Sequence, residues 1–167
     1  MDNNKLIRKW SDLYGLPVVT GGKKVGTVED FYLEPGTNAI RSLRINTGVY
    51  GYRLLQASAI STIEQKAITI ANEQMLAEEK TDGRLPALLP GKRVLSYKVM
   101  SEGGIVIGKV GNVLIDTSIP IALRVVAFEL GSDSHSRSGQ RNRIIAASEV
   151  TGYERDAVVV LDKVVKR

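Results

Sequence analysis

The chain has 167 residues, of which 43% are hydrophobic and 25% charged, and its formal net charge is +5. These proportions are ordinary for a soluble globular protein. It contains no cysteine, which excludes disulfides, a thiolate nucleophile and a thiolate metal site.

The first ten residues contain basic side chains but no apolar run of about 7–15 residues, which a signal peptide requires. No run in the chain approaches the roughly 18 apolar residues of a membrane-spanning helix. We therefore expect a soluble cytoplasmic protein without a transmembrane segment.

Residues 1–9 are polar and are expected to form a loose arm, with Trp10 as the first anchor. A pattern Leu-x-Gly-x-x-Val follows at residues 13–18 and recurs at 89–94. Each copy of this pattern precedes a Gly-Gly pair and a β-branched run, so a copied scaffold is indicated.

The segments after these patterns are typical of short β-strands. Gly-Gly at 21–22 and 103–104 supplies the positive φ of a tight hairpin turn. Residues 42–46 alternate polar and apolar side chains, as a strand with one wet face does. The other predicted strands are at 25–33, 125–128, 67–71 and 157–161.

The longest internal match aligns residues 53–70 with residues 143–160 without a gap. Its five identical positions pair Arg53, Ala57, Ser58, Glu64 and Ala67 with their counterparts 90 residues later. Most other pairs exchange one aliphatic residue for another. We interpret the match as an internal duplication.

Between the copies lies a segment, residues 72–88, that is too apolar for a free tether. Residues 73–80 are strong helix formers, Asn72 is a candidate N-cap and Gly83 a candidate terminator. We expect a short helix that packs on a barrel.

The predicted fold is all-β, with two tandem small β-barrels joined by a short helical linker. Five or six short strands per copy leave too few residues for covering helices, and closure removes exposed strand edges. The domain boundaries are 1–71 for the first barrel with its N-terminal arm, 72–88 for the linker and 89–167 for the second barrel.

The recurring motifs resemble those of the PRC-barrel family. They are Leu-x-Gly-x-x-Val, Gly-x-Val before an apolar run, Arg followed by two aliphatic residues, and a closing Ala-Val/Ile-x-Val/Ile block. The resemblance covers residues 10–71 and 89–162. It implies a barrel that docks on a larger assembly, such as a photosynthetic reaction centre or a ribosomal protein during small-subunit maturation, and it brings no catalytic residue.

The basic charge is concentrated in the second half. Residues 89–167 carry twelve Lys or Arg and eight Asp or Glu, against six and five in residues 10–71. The loop 132–142 bears Arg137 and Arg141, with Arg143 at its base. The functional interpretation is a mobile basic finger for an anionic partner, and the alternative is a solvated hairpin tip.

The corresponding tip of the first copy offers Tyr50 and Tyr52 beside Arg53. Tyrosine and arginine dominate binding hot spots, and residues two apart on a strand share a face. The alternative is packing against a barrel. For Arg53 and Arg143, a structural salt bridge in each copy and a shared contact with a partner both stand open.

No set of residues predicts catalysis, a metal or a cofactor. Asp133, Ser134 and His135 are neighbours in a Ser/Gly-rich loop, which provides no scaffold for a catalytic triad. His135 is the sole histidine, so a metal site has few ligands. The glycine stretches at 21–26 and 103–108 lack the Lys-Ser/Thr of a phosphate-binding loop.

We therefore predict a non-enzymatic adaptor or assembly module that binds a larger protein or ribonucleoprotein. Its partner would contact the tyrosine tip, the arginine loop or the groove between the barrels. Two alternatives are a ribosome-maturation or RNA-processing factor that uses the basic second domain, and a peripheral component of a photosynthetic or other membrane complex. A homo-oligomer is left open.

Overall fold

The computed structural model describes residues 6–131 and 143–166. The predicted contacts at Arg137 and Arg141, and the sole histidine His135, lie outside the described residues. Among the described residues, no helix has the length and hydropathy that crossing a membrane requires.

The first half of the chain is built from strands, one α-helical turn and two 3-10 turns, Gly48–Tyr50 and Ala57–Ala59. Its elements are β1 (Ile7–Lys9), α1 (Trp10–Leu13), β2 (Pro17–Thr20), β3 (Lys23–Leu33), β4 (Ile40–Asn46), β5 (Tyr52–Gln56), β6 (Ile60–Ile63) and β7 (Ile68–Ile70).

The linker contains three 3-10 turns, Glu73–Met75, Glu79–Thr81 and Leu85–Ala87, and the strand β8 (Leu76–Ala77). Asn72 caps the first turn, as predicted, because its side chain accepts a hydrogen bond from the Gln74 amide. The continuous helix expected over 73–80 is absent. β8 pairs with β5 instead, and this pairing interrupts the helical run.

The second half repeats the first. Its elements are β9 (Leu89–Pro90), α2 (Gly91–Val94), β10 (Lys98–Ser101), β11 (Val106–Asp116), β12 (Arg124–Leu130), β13 (Ile144–Ala146), β14 (Val150–Glu154) and β15 (Ala157–Val160). A 3-10 turn, Asp162–Lys166, follows β15.

Both halves arrange their six main strands in the same order. The first sheet runs β6-β7-β2-β3-β4-β5, and the second runs β14-β15-β10-β11-β12-β13. In each, one parallel ladder (β2 with β7, β10 with β15) joins the hairpins, and the other pairings along these orders are antiparallel. The all-β fold of two barrel-like sheets is therefore confirmed.

The structure also bears on the repeat alignment. The match of residues 53–70 with 143–160 agrees with the strands, because β5, β6 and β7 align with β13, β14 and β15. The match of the Leu-x-Gly-x-x-Val patterns is wrong in register. Gly15 lies after α1 with φ +83°, whereas Gly91 is the first residue of α2. The structural counterpart of α1 is α2, and glycine spacing alone misaligned them.

The two halves exchange strands reciprocally. In the 11-residue strand β3, the first part pairs with β2 and the second part with β4. Beyond β2, the side of β3 that is left free at Tyr32 and Leu33 pairs with β9, the first strand of the second half. In the same way β1, the first strand of the first half, pairs with the end of β11. Each half thus covers an exposed strand edge of the other.

A polar side chain that accepts two amide hydrogen bonds ties down each exchanged segment; Asp30 is buried and Asn112 is half-buried. Asp30, only 3% exposed, accepts hydrogen bonds from the Phe31 amide at 2.9 Å and the Lys92 amide at 3.0 Å. Its counterpart Asn112 accepts from the amides of Val113 at 3.0 Å and Ser11 at 3.3 Å. One acceptor therefore satisfies the donor of its own strand and a donor at the start of the other half's helical turn.

Ion pairs reinforce the same exchange. Lys92 Nζ lies 3.0 Å from Glu29 Oε1, and Lys9 Nζ lies 3.2 Å from Glu129 Oε2. Each lysine lies near the start of one half, and each glutamate lies on a strand of the other. Because both lysines are about half exposed, these pairs add little stability beside the buried hydrogen bonds.

One hydrophobic cluster extends through both halves. It contains 28 buried residues, from Trp10 in α1 to Val164 after β15. The indole of Trp10 meets the ring of Phe31 edge to face, with the centroids 4.8 Å apart. Gly91 of α2 lies against the same ring, so closely that an added Cβ would overlap it. The core is therefore continuous across the junction.

Gly91→Ala should destabilise the protein by about 1–3 kcal/mol, because the new methyl group overpacks the Phe31 ring. Gly36→Ala is the matched control, since no atom lies near its added Cβ, and its change should stay within about 0.5 kcal/mol. Urea denaturation measures both. Equal stability of the two variants would contradict the close approach.

Asp30→Asn should change the pH dependence of stability. Burial raises the pKa of Asp30 above its ordinary value of 3.8, although the amides of Phe31 and Lys92 oppose the shift. The folded state therefore binds the proton more tightly than the unfolded state. The free energy of unfolding falls as the pH rises from the pKa of Asp30 in the unfolded state to its higher pKa in the folded state. The asparagine variant loses this component and keeps the acceptor, as Asn112 does.

The measurement is urea denaturation of both proteins from about pH 3 to pH 7, an interval that spans the ordinary carboxyl range. The Asp30→Asn variant should gain stability relative to the wild type as the pH rises. Asp30→Ala leaves two amides without their acceptor and should lose about 1–3 kcal/mol for each. A difference between the wild type and the Asp30→Asn variant that does not change with pH would sink the assignment.

Candidate interaction surfaces

The connection between β4 and β5, residues 47–52, is here called the β4–β5 tip. Its backbone is tightly tied. The Thr47 amide donates to the Gly51 carbonyl at 2.9 Å, and the Gly51 amide donates to the Gly48 carbonyl at 2.9 Å. Gly48 and Gly51 both have φ +77°, a value that side chains with a Cβ rarely adopt. The two glycines make this compact turn possible.

The apolar side chains of the tip project into solvent. Val49 is 95% exposed and Tyr50 is 77% exposed. Large apolar side chains that project from this hydrogen-bonded turn bury little surface in the monomer and add little stability to it. Such side chains are typical of a surface that a partner covers.

Tyr52 is held differently from Tyr50. The guanidinium carbon of Arg44 lies 3.9 Å from the centroid of the Tyr52 ring, and Arg44 Nε donates to Glu79 Oε1 at 2.8 Å. This cation–π contact leaves Tyr52 43% exposed. The linker thus fixes a ring at the base of the tip.

The predicted shared face of Tyr50 and Tyr52 rests on a strand that does not reach Tyr50. Tyr50 ends the 3-10 turn Gly48–Tyr50, and β5 begins only at Tyr52. The intervening Gly51 has positive φ, so the two-residue periodicity of a strand does not relate the two rings. The partner-binding role of both tyrosines stays a prediction.

Arg53 and Arg143, the first residues of the duplicated block, contact other parts of the chain. Arg53 Nη1 lies 3.4 Å from Glu78 Oε1 of the linker. Arg143 Nη2 donates to the Val164 carbonyl at 2.7 Å, in the final 3-10 turn. Both contacts tie a sheet to a flanking segment, so each arginine has a structural role. Their predicted contact with a partner is untested.

A second surface lies where the two halves meet. Ala39 and Arg124 form an antiparallel bridge. The Ile40 amide donates to the Leu123 carbonyl at 2.8 Å, and the Val125 amide donates to the Asn38 carbonyl at 2.9 Å. This bridge joins the start of β4 to the start of β12. β4 and β12 hold the same place in the two strand orders, and the fold brings their first residues into contact.

A groove of about 440 Å³ opens beside this bridge. We call it the arginine groove, because Arg41, Arg84 and Arg124 all line it. The remaining lining residues are polar or apolar and none is acidic: Thr37, Ala39, Ile40, Gln56, Ala57, Ser58, Ile121, Ala122 and Leu123. The groove lies at the junction of the halves, where the sequence analysis expected one of three contact surfaces.

Two of these arginines are paired with acidic residues at equivalent positions of the two halves. Arg41 donates to both carboxylate oxygens of Glu34 at 3.0 Å, and Arg124 Nη2 lies 4.0 Å from Asp116 Oδ2. The bond from Arg41 lowers the pKa of Glu34, and bonds from Ser118 lower the pKa of Asp116. Sequence reasoning assigned neither arginine a role. The sequence signal that could have identified the two arginines is an acidic residue seven or eight positions before each of them.

A larger and more mixed cavity, about 850 Å³, lies between β1 and the β6–β7 turn. Arg8 crosses it and donates to the carbonyls of Glu64 at 2.7 Å and Gln65 at 2.9 Å. Asp12 lines the same space. Because the Arg8 guanidinium is bound to backbone carbonyls on the opposite side, we interpret this cavity as a gap between two packed segments of the chain.

Within residues 6–131 and 143–166, no three His, Cys, Asp or Glu side chains are grouped as metal ligands would be. The perturbed titratable groups have structural partners. Hydrogen bonds from the Gln56 side chain and the Arg84 amide lower the pKa of Asp82. The pKa of Tyr153 is raised by burial, and its hydroxyl donates to Asn38 Oδ1 at 2.6 Å.

Comparison with known families covers the first half. Residues 7–74 match the family model of the PRC-barrel domain. Such domains are generally protein-interaction modules and are typically non-catalytic. No curated protein sequence matches the chain.

Replacement of Val49 and Tyr50 together by serine should leave folding stability within about 0.5 kcal/mol of the wild type, because exposed side chains away from special features contribute little. Leu54→Ala, two residues beyond the tip, should cost about 2–5 kcal/mol because Leu54 is buried. Denaturation curves compare the two. A large loss in the serine variant would assign the tip to folding.

Proposed function

We propose that the protein is a non-enzymatic adaptor that docks on a larger protein assembly through the β4–β5 tip. The observation that supports this most directly is the exposure of Val49 and Tyr50 on an ordered turn. The match of residues 7–74 to a protein-interaction domain agrees with it.

The tip has the properties of a preorganised binding element. Its turn is closed by backbone hydrogen bonds, and the Arg44 guanidinium holds Tyr52 at its base. An ordered turn loses little conformational entropy on binding, so more of the contact energy remains as affinity. Tyrosine and arginine are also the residue types most enriched in binding hot spots.

The proposal includes a second, diverged PRC-barrel domain. The shared strand order of the two halves supports it, with the domains at residues 1–71 and 89–167 and the linker at 72–88. The proposed site of action is the cytoplasm. Arg53, Arg137, Arg141 and Arg143 are proposed as secondary contacts on the same assembly.

Site-specific photocrosslinking in the native cell tests the tip. A benzophenone amino acid at position 50 should give a discrete adduct with one partner, and Val49→Asp should abolish the adduct by placing a charge in the contact. Position 14 is the matched control, because Tyr14 is also an exposed tyrosine but lies after α1.

Mass spectrometry of the adduct identifies the assembly. A ribosomal protein would support the ribosome-maturation alternative, and a subunit of a membrane complex would support the peripheral-component alternative. No adduct at position 50, or the same adducts at positions 50 and 14, would refute docking through the tip.

A further inference from the structure

We propose that the arginine groove is a separate binding site for an acidic peptide segment that carries an aliphatic side chain. This site does not depend on the β4–β5 tip. Arg41 and Gln56, which line the groove, lie at the far ends of β4 and β5 from the tip. The strand β5 runs from Tyr52 at the tip to Gln56 at the groove, a distance of about 13–17 Å.

Two of the three arginines keep donors for a ligand. Arg84 Nε is 3.8 Å from Asp82 Oδ1, and its Nη2 is 3.5 Å from Gln56 Oε1. Arg124 approaches Asp116 only to 4.0 Å. These distances exceed those of good charge-assisted hydrogen bonds, about 2.7–2.9 Å. The side chains of Arg84 and Arg124 are 68% and 59% exposed, so their guanidinium groups can turn toward a carboxylate.

The third arginine is already positioned. Arg41 binds both oxygens of Glu34 through Nε and Nη2, which fixes the plane of its guanidinium. Glu34 occupies the Nε and Nη2 side of this group, so a ligand carboxylate can reach Arg41 only at its remaining Nη hydrogens. Glu34, Asp82 and Asp116 lie within 4.0 Å of the three arginines but do not line the groove, so the lining presents guanidinium groups and no carboxylate. An anion is the complement of those guanidinium donors, not of a net positive charge.

The groove also has an apolar part. Ile40, Ala57 and Leu123 are buried and form its floor, whereas Ile121 is 70% exposed at its edge. A lone phosphate or sulfate leaves such a surface wet. A peptide that alternates acidic and aliphatic residues matches the basic residues and the apolar surface together.

Two other ligand classes fit less well. Among the residues that line the groove there is no aromatic ring, so single-stranded nucleic acid lacks the stacking platform it uses. The volume of about 440 Å³ lies within the range of sites that hold drug-sized ligands or peptide segments, and far exceeds one inorganic phosphate.

The duplication explains how the site forms. Arg41 and Arg124 are repeat counterparts, each paired with an acid that precedes it by seven or eight residues. The bridge between Ala39 and Arg124 brings the two copies of this arginine to one groove. The linker contributes Arg84, which has no counterpart in the repeat.

Fluorescence anisotropy with a labelled Glu-Leu alternating octapeptide tests the site on the full chain. The double variant Arg84→Gln/Arg124→Gln should weaken binding about tenfold or more, since two charge-assisted contacts are lost. Lys24→Gln/Lys66→Gln removes the same charge from exposed positions elsewhere and should change the Kd by less than about twofold.

Further probes separate the parts of the proposal. A Gln-Leu peptide tests the charge and a Glu-Gly peptide tests the aliphatic contact, and both should bind more weakly. Ile121→Ser should weaken the Glu-Leu peptide but not the Glu-Gly peptide. Val49→Asp/Tyr50→Ser should bind the Glu-Leu peptide as the wild type does, so failure of this site and failure of the tip are distinguishable.

Several outcomes would overturn the assignment. No binding of the Glu-Leu peptide removes it. Equal weakening by the lysine control reduces it to the overall charge of the protein. Equal binding of the Glu-Gly peptide, or displacement by millimolar phosphate or by oligouridylate at lower concentration than the peptide, assigns the groove to a different ligand. Thermal denaturation confirms that each variant is folded.

Discussion

The reciprocal strand pairing between the halves is the constraint on which the rest of the structure depends. β3 and β11 are each longer than the hairpin strand beside them, and the uncovered edge of each pairs with the first strand of the other half. Asp30 and Asn112 then satisfy amides on both sides of the exchange. Halves of about 70 residues have marginal cores of their own, and the exchange merges them into one hydrophobic cluster.

The strand order that the two halves share gives this molecule two kinds of surface. Where the halves differ in sequence, as at the β4–β5 tip, the first half exposes Val49 and Tyr50, and the corresponding segment of the second half, residues 132–142, contains neither residue type. Where the halves agree, each contributes one of two corresponding arginines, Arg41 and Arg124, to the same groove at their junction. A protein that carries both surfaces can contact two sites of one partner. When two weak contacts are linked in this way, the avidity is well above the affinity of either contact alone.

The strand content could be predicted from sequence because aliphatic periodicity and turn glycines are local signals. The prediction of a helix over 73–80 was wrong because Glu78 and Glu79 form ion pairs with Arg53 and Arg44, and β8 pairs with β5. In so short a segment, tertiary contacts override helix propensity. The exchange of strands could not be predicted from the sequence, because no local pattern in residues 7–9 indicates that they pair with the other half. The tyrosine spacing failed at Gly51, whose positive φ is set by the turn. Arg137 and Arg141 stay predictions.

The exchange has a consequence for the order in which the chain is made. β9 can join β3 as soon as residue 90 has left the ribosome, but β1 must wait for the end of β11, more than 100 residues after it in the sequence. At translation rates of about 5–20 residues per second, that wait is roughly 5–20 s. During it, β1 has no strand to pair with, so this segment reaches its final place only after β11, a strand of the other half, has been made.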